Sequence, residues 1–197
     1  MMGRFVTSIR GFDLRFETHA SLFSPRKVDA GTLAMLSVVA FDADDKVLDL
    51  GCGYGVIGIV AAKLTSPERV FMLDNDPIAV EYASTNARLN EVGGVTIVRS
   101  DGFTNFREAA FTKMLCNPPY HTDFEVAKHF ILKGYNRLSV GGTLYMVTKR
   151  QAWYRNKLRS VFGGVRVHCV GSYFVFVADK TNANYAGTDG RARVKIR

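Results

Sequence analysis

The sequence predicts an α/β domain: a Rossmann-like, seven-stranded, mostly parallel sheet ending in an antiparallel C-terminal hairpin. Three observations carry that expectation. From Lys46 onward short apolar runs alternate with helix-period segments, the signature of a parallel sheet covered on both faces. A glycine-rich turn follows the first of these runs, where doubly wound sheets bind their ligands. The last two runs are joined by Gly171 or little more, too short for a crossover, so they must pair as a hairpin.

Taken in order, residues 1–45 form a cover segment of the same domain. It holds a short strand pair (Arg4 to Arg10, Asp13 to Glu17), the stretch LFSPRKVDAGT, and an apolar helix pattern to Ala40. The core, residues 46–180, supplies strands KVLDLG (46–51), RVFMLD (69–74), VTIVRS (95–100), FTKMLC (111–116), GTLYMVT (142–148), VRVHCV (165–170) and SYFVFVA (172–178). Helices are predicted at Gly55 to Leu64, Pro77 to Asn90, Phe124 to Leu138 and Gln151 to Phe162. Pro77 suits a first helical turn behind Asp76 as N-cap, and Gly141-Gly142 reads as a stop between the third of these helices and the fifth strand. Residues 181–197 lack periodicity and read as a flexible basic tail that frays.

With 47% hydrophobic, 22% charged and 12% aromatic residues, the chain is not a disordered one. The longest uncharged apolar stretches, Thr32 to Phe41 and Leu50 to Ala62, fall short of the roughly 18 residues a membrane helix needs. No apolar core separates Arg4 from Arg10, so the N-terminus does not read as a secretion signal, and a cytoplasmic protein is expected. Cys52, Cys116 and Cys169 form no CxxC pair, which argues against disulfides and a zinc site; no metal is expected. The net charge of +8 is unevenly spread. Residues 1–125 carry 12 Lys+Arg against 16 Asp+Glu, whereas residues 126–178 carry nine basic residues and no acid. Such asymmetry suggests a face that meets a polyanion, although a solvated basic surface gives the same count.

The first chemical motif is DLGCGYGVIG, Asp49 to Gly58, at a strand-to-helix turn. Glycines let the backbone turn sharply there and approach a ligand, and the helix N-terminus offers free N–H groups, so a nucleotide-containing cofactor is the natural guest. Nicotinamide-dependent dehydrogenases share this logic. Asp74 ends the second strand, 23 residues past Gly51, where a carboxylate would accept both ribose hydroxyls of an adenosine. Asp101, ending the third, could take the adenine amine or simply form a turn before Gly102.

The second motif is Asn117-Pro118-Pro119-Tyr120, directly after the fourth strand. Two prolines fix φ, remove two N–H donors and hold Asn117 out of the helical region, so its side chain and nearby carbonyls are presented rigidly. An Asn oxygen and a carbonyl can together accept the hydrogens of a planar amine, while Tyr120 offers a face on which the amine's ring could stack. The competing reading is a rigid turn with a surface tyrosine.

Together these residues resemble class I methyltransferases that use S-adenosylmethionine and methylate amines. Over about residues 20–180 the chain is similar to the small-domain methyltransferases exemplified by the 16S ribosomal RNA guanine-N2 enzymes. FSPRKVDAGT resembles that family's helix that closes over the cofactor, GCGYGVIGI its glycine motif, and TKRQAWYRNKLRSVFGGV its fifth-strand end and following helix. The resemblance implies the seven-stranded methyltransferase fold, with Asp49, Gly51, Gly53 and Gly55 near the methionine portion of S-adenosylmethionine, Asp74 on the ribose and Asp101 by the adenine. Cys52, Asn75, Gly102 and Asn117 complete the cofactor set, and Asn117 to Tyr120 meet the target. It also implies an RNA partner, ribosomal RNA or a small-subunit particle, with guanine N2 as the methylated atom. Some members carry an N-terminal duplicate of the domain, for which 197 residues leave no room, and His121-Thr122-Asp123 lacks a glycine that often follows the motif in relatives.

A base inside a duplex cannot reach such a site, so the target is expected single-stranded, flipped out or in a loop. His121, Lys149, Arg150, Arg155 and Lys157 are the candidate RNA contacts, with Trp153 and Tyr154 interleaved. At helical spacing Arg150, Tyr154 and Lys157 share a face, with Trp153 toward the core. Alternatives are adenine-N6 methylation of transfer RNA or another nucleic acid, methylation of protein glutamine, a dehydrogenase, and a noncatalytic RNA-binding module.

Overall fold

In the computed structural model, which describes residues 2–118 and 124–185, the chain opens with an antiparallel hairpin, β1 (Met2–Ile9) and β2 (Phe12–His19). The order then runs α1 (Ala30–Val38), β3 (Val47–Leu50), α2 (Val56–Leu64), β4 (Val70–Asp74), α3 (Pro77–Leu89), β5 (Thr96–Arg99) and β6 (Phe111–Cys116). It closes with α4 (Phe124–Arg137), β7 (Leu138–Thr148), α5 (Ala152–Phe162), β8 (Arg166–Val170) and β9 (Tyr173–Asp179). The seven-stranded sheet has the order β5-β4-β3-β6-β7-β9-β8, parallel except where β9 pairs β7 and β8 antiparallel. After β5 the chain crosses back to β6 beside β3, so the carboxyl ends of β3 and β6 form the switch point where such sheets open a ligand crevice.

Strand alternation divides the core into two layers. Val47, Val70, Met72 and Leu115 face one apolar layer with α1, α2, α3 and the hairpin, while Leu48, Leu50, Leu73 and Cys116 face the other, built on α4 and α5. The predicted N-cap is present: the Asp76 carboxylate accepts from Ile78 N–H at 2.9 Å. The hairpin is fastened by side chains rather than by strand pairing. From successive turns of α3, Asn86 and Asn90 each exchange two hydrogen bonds with the backbone of β2, at Glu17 and Arg15. The i, i+4 rise of a helix, about 6 Å, matches the i, i+2 rise of a strand, so two amides imitate an adjacent strand and cover an otherwise open edge.

Two expectations change. Gly141-Gly142 is not a stop before a strand, because β7 already begins at Leu138 and pairs there with Phe111. The register then shifts, and the glycines lie in the irregular stretch, where a Cβ on Gly142 would stand 2.7 Å from the Phe111 carbonyl. The stretch from Thr181 to Tyr185 is tied down: Tyr135 Oη donates to the carbonyls of Asn182 and Asn184 at 2.5 Å, and Tyr185 Oη donates to Leu132 at 2.8 Å. Residues 186–197 lie outside the described ones.

Candidate active site

At the switch point the strand β3 delivers Asp49 into the interior, fully buried. One carboxylate oxygen accepts from Gly58 N–H at 2.9 Å. Gly58 is the third residue of α2, whose N-cap, Gly55, has no side chain to offer, so an acid from the neighbouring strand satisfies one of the helix's orphan donors. The approach is close. A Cβ on Gly58 would stand 2.3 Å from Met72 Sδ, so glycine is what brings α2 down onto β3 and β4. The other oxygen, Oδ1, is buried with no hydrogen-bond partner among the described residues. Burial, with the nearby Asp74 charge adding to it and the Gly58 bond opposing it, pushes the Asp49 pKa up to about 7. A buried acceptor with no donor is costly, and it sits directly behind the glycine turn.

The turn after β3 passes through Gly51, Gly53 and Gly55, all with positive φ (77°, 55° and 97°), which side chains with a Cβ rarely adopt. Asp74, at the end of β4, braces this turn: one oxygen accepts from Gly53 N–H at 2.8 Å and the other from Asp76 N–H at 3.0 Å. A carboxylate has about four lone-pair sites, so both oxygens retain capacity for ligand hydroxyls. Cys52 between the glycines is buried, and burial, reinforced by Asp49 and Asp74, pushes its thiol pKa well up, leaving it neutral. Asn75 and Asp101 are exposed at the rim and Gly102 lies buried between them and α4. The Asp101 carbonyl accepts from Thr104, so the turn-forming role is real, and its side chain still borders the same cavity.

That cavity, about 490 Å³, is bordered by eight of the ten residues of the expected cofactor set: Gly51, Cys52 and Gly53, then Asp74 and Asn75, then Asp101, Gly102 and Asn117; Asp49 and Gly55 do not line it and support the turn from behind. Its size suits a nucleoside-containing cofactor. Over it lies the segment before α1. Tyr54 Oη reaches the Ser24 carbonyl at 3.2 Å, tying the glycine turn to this cover, and burial pushes the Tyr54 hydroxyl pKa up. Phe5 and Phe16 of the hairpin pack edge-on against the Tyr54 ring, and Asn86 donates to the Tyr54 carbonyl at 2.8 Å.

Asn117 leaves the end of β6 into this cavity with Pro118. Its Nδ2 donates to Asp29 Oδ2 and to Thr32 Oγ1, both at 3.0 Å. Asp29 is also the N-cap of α1, accepting from Thr32 N–H. Because an ionised carboxylate only accepts, the amide nitrogen must face Asp29, which turns the amide oxygen the other way. Asp29, Thr32, Tyr54 and Asn86 were not among the sequence candidates, although Asp29 ahead of an apolar helical run is a capping signal. Pro119, Tyr120 and His121 lie outside the described residues.

The basic candidates separate. Arg150, beyond β7, lies 5.3 Å from the centroid of the Phe124 ring, and Lys157 borders the same hollow as that ring, whereas Lys149 covers Tyr173 and Arg155 is exposed on α5. Tyr154 does not share the face of Arg150 and Lys157: with Leu158, Val161 and Phe162 it is the buried stripe of α5, and Trp153 is the half-exposed ring.

Residues 13–178 match the family described as methyltransferase small domain. The chain belongs to that family. Similar curated proteins are ribosomal RNA large subunit methyltransferase G of Pectobacterium atrosepticum, 31% identical over 88% of this chain and 48% of the relative, and its namesake in Alteromonas mediterranea, 30% identical over 86% and 44%. The chain thus spans about half the length of the curated relatives it matches. Among solved structures, the T. thermophilus 16S rRNA N2 G1207 methyltransferase, titled as a complex with AdoMet and guanosine, aligns with TM-score 0.82 and 26% identity over 91% of this chain and 50% of that one. TrmN from Thermus thermophilus, with TM-score 0.66 and 24% identity over 76% and 48%, shares the fold. The chain therefore carries the methyltransferase small domain, with its glycine turn and cavity in the places described above. The expected small-subunit particle is not singled out, since the curated names specify the large subunit and the structural neighbour the 16S RNA.

Proposed function

We propose that the chain is an S-adenosylmethionine-dependent methyltransferase that transfers a methyl group to an exocyclic amine of ribosomal RNA, at guanine N2. The observation that carries the reading is the oriented Asn117 amide, held by Asp29 and Thr32 at the lip of the cofactor cavity. S-adenosylmethionine, when bound, supplies a methyl carbon already activated by a positive sulfur, so the protein need not protonate a leaving group. Asp49, ionised, would receive the cofactor's ammonium at its unpartnered oxygen; Asp74 would take the ribose, and Asp101 the adenine edge. Asn117 Oδ1 and the Pro118 carbonyl would accept the two amine protons. They hold the nitrogen as its lone pair leaves conjugation with the ring, so positioning supplies most of the rate. The N–C bond forms as the S–C bond breaks, and one amine proton passes to solvent.

Support for RNA comes from the basic residues beside the cavity and from the names of the relatives. The test is labelled methyl transfer to ribosomal RNA, to both ribosomal subunits and to transfer RNA, followed by nucleoside digestion. N2-methylguanosine from ribosomal material is the expected product, and the labelled particle identifies the subunit. N6-methyladenosine would overturn the target, and no transfer to any RNA by a protein that binds S-adenosylhomocysteine would overturn the RNA reading.

A further inference from the structure

Where α4 and α5 run side by side, a second hollow of about 530 Å³ is lined by Phe124, Glu125, Lys128, Trp153 and Lys157. Helix α4 is the partition between it and the cofactor cavity, which Val126 and Phe130 of the same helix line. Phe124 and Trp153 stack with centroids 4.3 Å apart and planes 18° apart, and the Arg150 guanidinium lies against Phe124. Both rings pack partly buried against the core that Tyr154 and Leu158 fill, and each keeps part of its surface open toward the hollow. The one acid in the lining, Glu125, pairs with Lys128 at 3.1 Å, which leaves the hollow with a net positive charge from Lys157 and the neighbouring Arg150.

We propose that this hollow binds a nucleotide adjacent to the methylated one, its base against the Phe124–Trp153 stack and its phosphate at Lys157 and the neighbouring Arg150. The inference rests on the RNA reading above. An extruded target base needs the strand beside it held, and aromatic faces flanked by cations do this for any base, because every base has a π face. The positive charge complements the phosphodiester and makes the contact salt-dependent.

Trp153 is the single tryptophan of the chain, so its emission reports on this hollow alone. A labelled single-stranded oligoribonucleotide of about ten nucleotides, a span within the ordinary single-strand site range, would be titrated in saturating S-adenosylhomocysteine. Anisotropy reads binding and Trp153 fluorescence reads stacking. Quenching should follow the anisotropy curve, whereas guanosine alone should leave the emission unchanged. Trp153→Ala should weaken binding about fivefold or more. The variant Lys157→Gln, which leaves the Glu125–Lys128 pair and the core untouched, should lower the slope of log affinity against log salt by about 0.7, the value of one phosphate contact. Binding with unchanged Trp153 emission, or an unchanged salt slope in Lys157→Gln, would overturn the proposal while leaving RNA methylation intact. Wild-type protein that neither binds nor methylates RNA would overturn both.

Discussion

Replacing Asp49 with Asn tests the centre of the site by separating charge from shape. The carboxyl has an ordinary value of 3.8 and about 7 in the fold, because burial disfavours its charged form. Below pH 3.8 the group is neutral in both states, and it contributes nothing. As pH rises from 3.8 to about 7 the unfolded chain ionises while the folded one holds its proton, so the wild type loses about 1.4 kcal/mol of stability per pH unit. Over that window the loss is on the order of 4 kcal/mol, with no discount for solvent screening because the side chain is fully buried. The neutral amide keeps the Gly58 hydrogen bond and escapes this loss. The stability of Asp49→Asn relative to wild type should therefore climb by that amount between pH 4 and pH 8, other titrations cancelling in the difference. Urea denaturation across this range measures it. Cofactor binding should move oppositely. Wild-type affinity for S-adenosylhomocysteine should rise with pH and level off above about 7, as the ammonium requires the ionised acid. The variant should bind about tenfold or more weakly at pH 8, the worth of a charged hydrogen bond. A pH-independent stability difference would refute the argument from burial, and full-strength binding by the variant would refute the ammonium site.

Asn117→Ala should lower kcat about 100-fold or more, by analogy with loss of a preorganised polar group, while S-adenosylhomocysteine affinity by calorimetry stays near wild type. Gly58→Ala forces a Cβ onto Met72 and should cost about 1–3 kcal/mol in urea unfolding; adding Met72→Ala should recover part of the loss. Asn86→Ala removes three hydrogen bonds that join α3, the hairpin and the glycine turn, and should cost about 2–3 kcal/mol, with hydrogen exchange in β2 rising most. Lys180→Met strips the carbonyls of Tyr135 and Leu138 of the buried ammonium that donates to both, at about 2–3 kcal/mol by the same assay.

The strands of the sheet are legible because strand and helix patterns are local, and the hairpin because one glycine leaves no room for a crossover. Gly141-Gly142 misleads for a local reason too: the pair punctuates, but what it serves is a register shift against Phe111, thirty residues away. The assignment of α5 was recoverable, since Tyr154, Leu158, Val161 and Phe162 stand at i, i+4, i+7 and i+8, a complete apolar stripe that leaves Trp153 at its edge. What was not recoverable is the support of the site. Asn86 and Asn90 read as ordinary polar residues of a helix, and only the docked hairpin turns them into a substitute strand. The same holds for the motif on which the chemistry depends. Asn117-Pro118 announces a rigid amide in the sequence, but which end of that amide faces the ligand is decided by Asp29, 88 residues earlier. An acceptor-only carboxylate at that point claims the nitrogen and turns the oxygen away from Asp29. Asp29→Asn, which keeps the cap of α1 but can present a donor to Asn117, should therefore impair catalysis more than folding, and equal loss of both would reduce Asp29 to a helix cap.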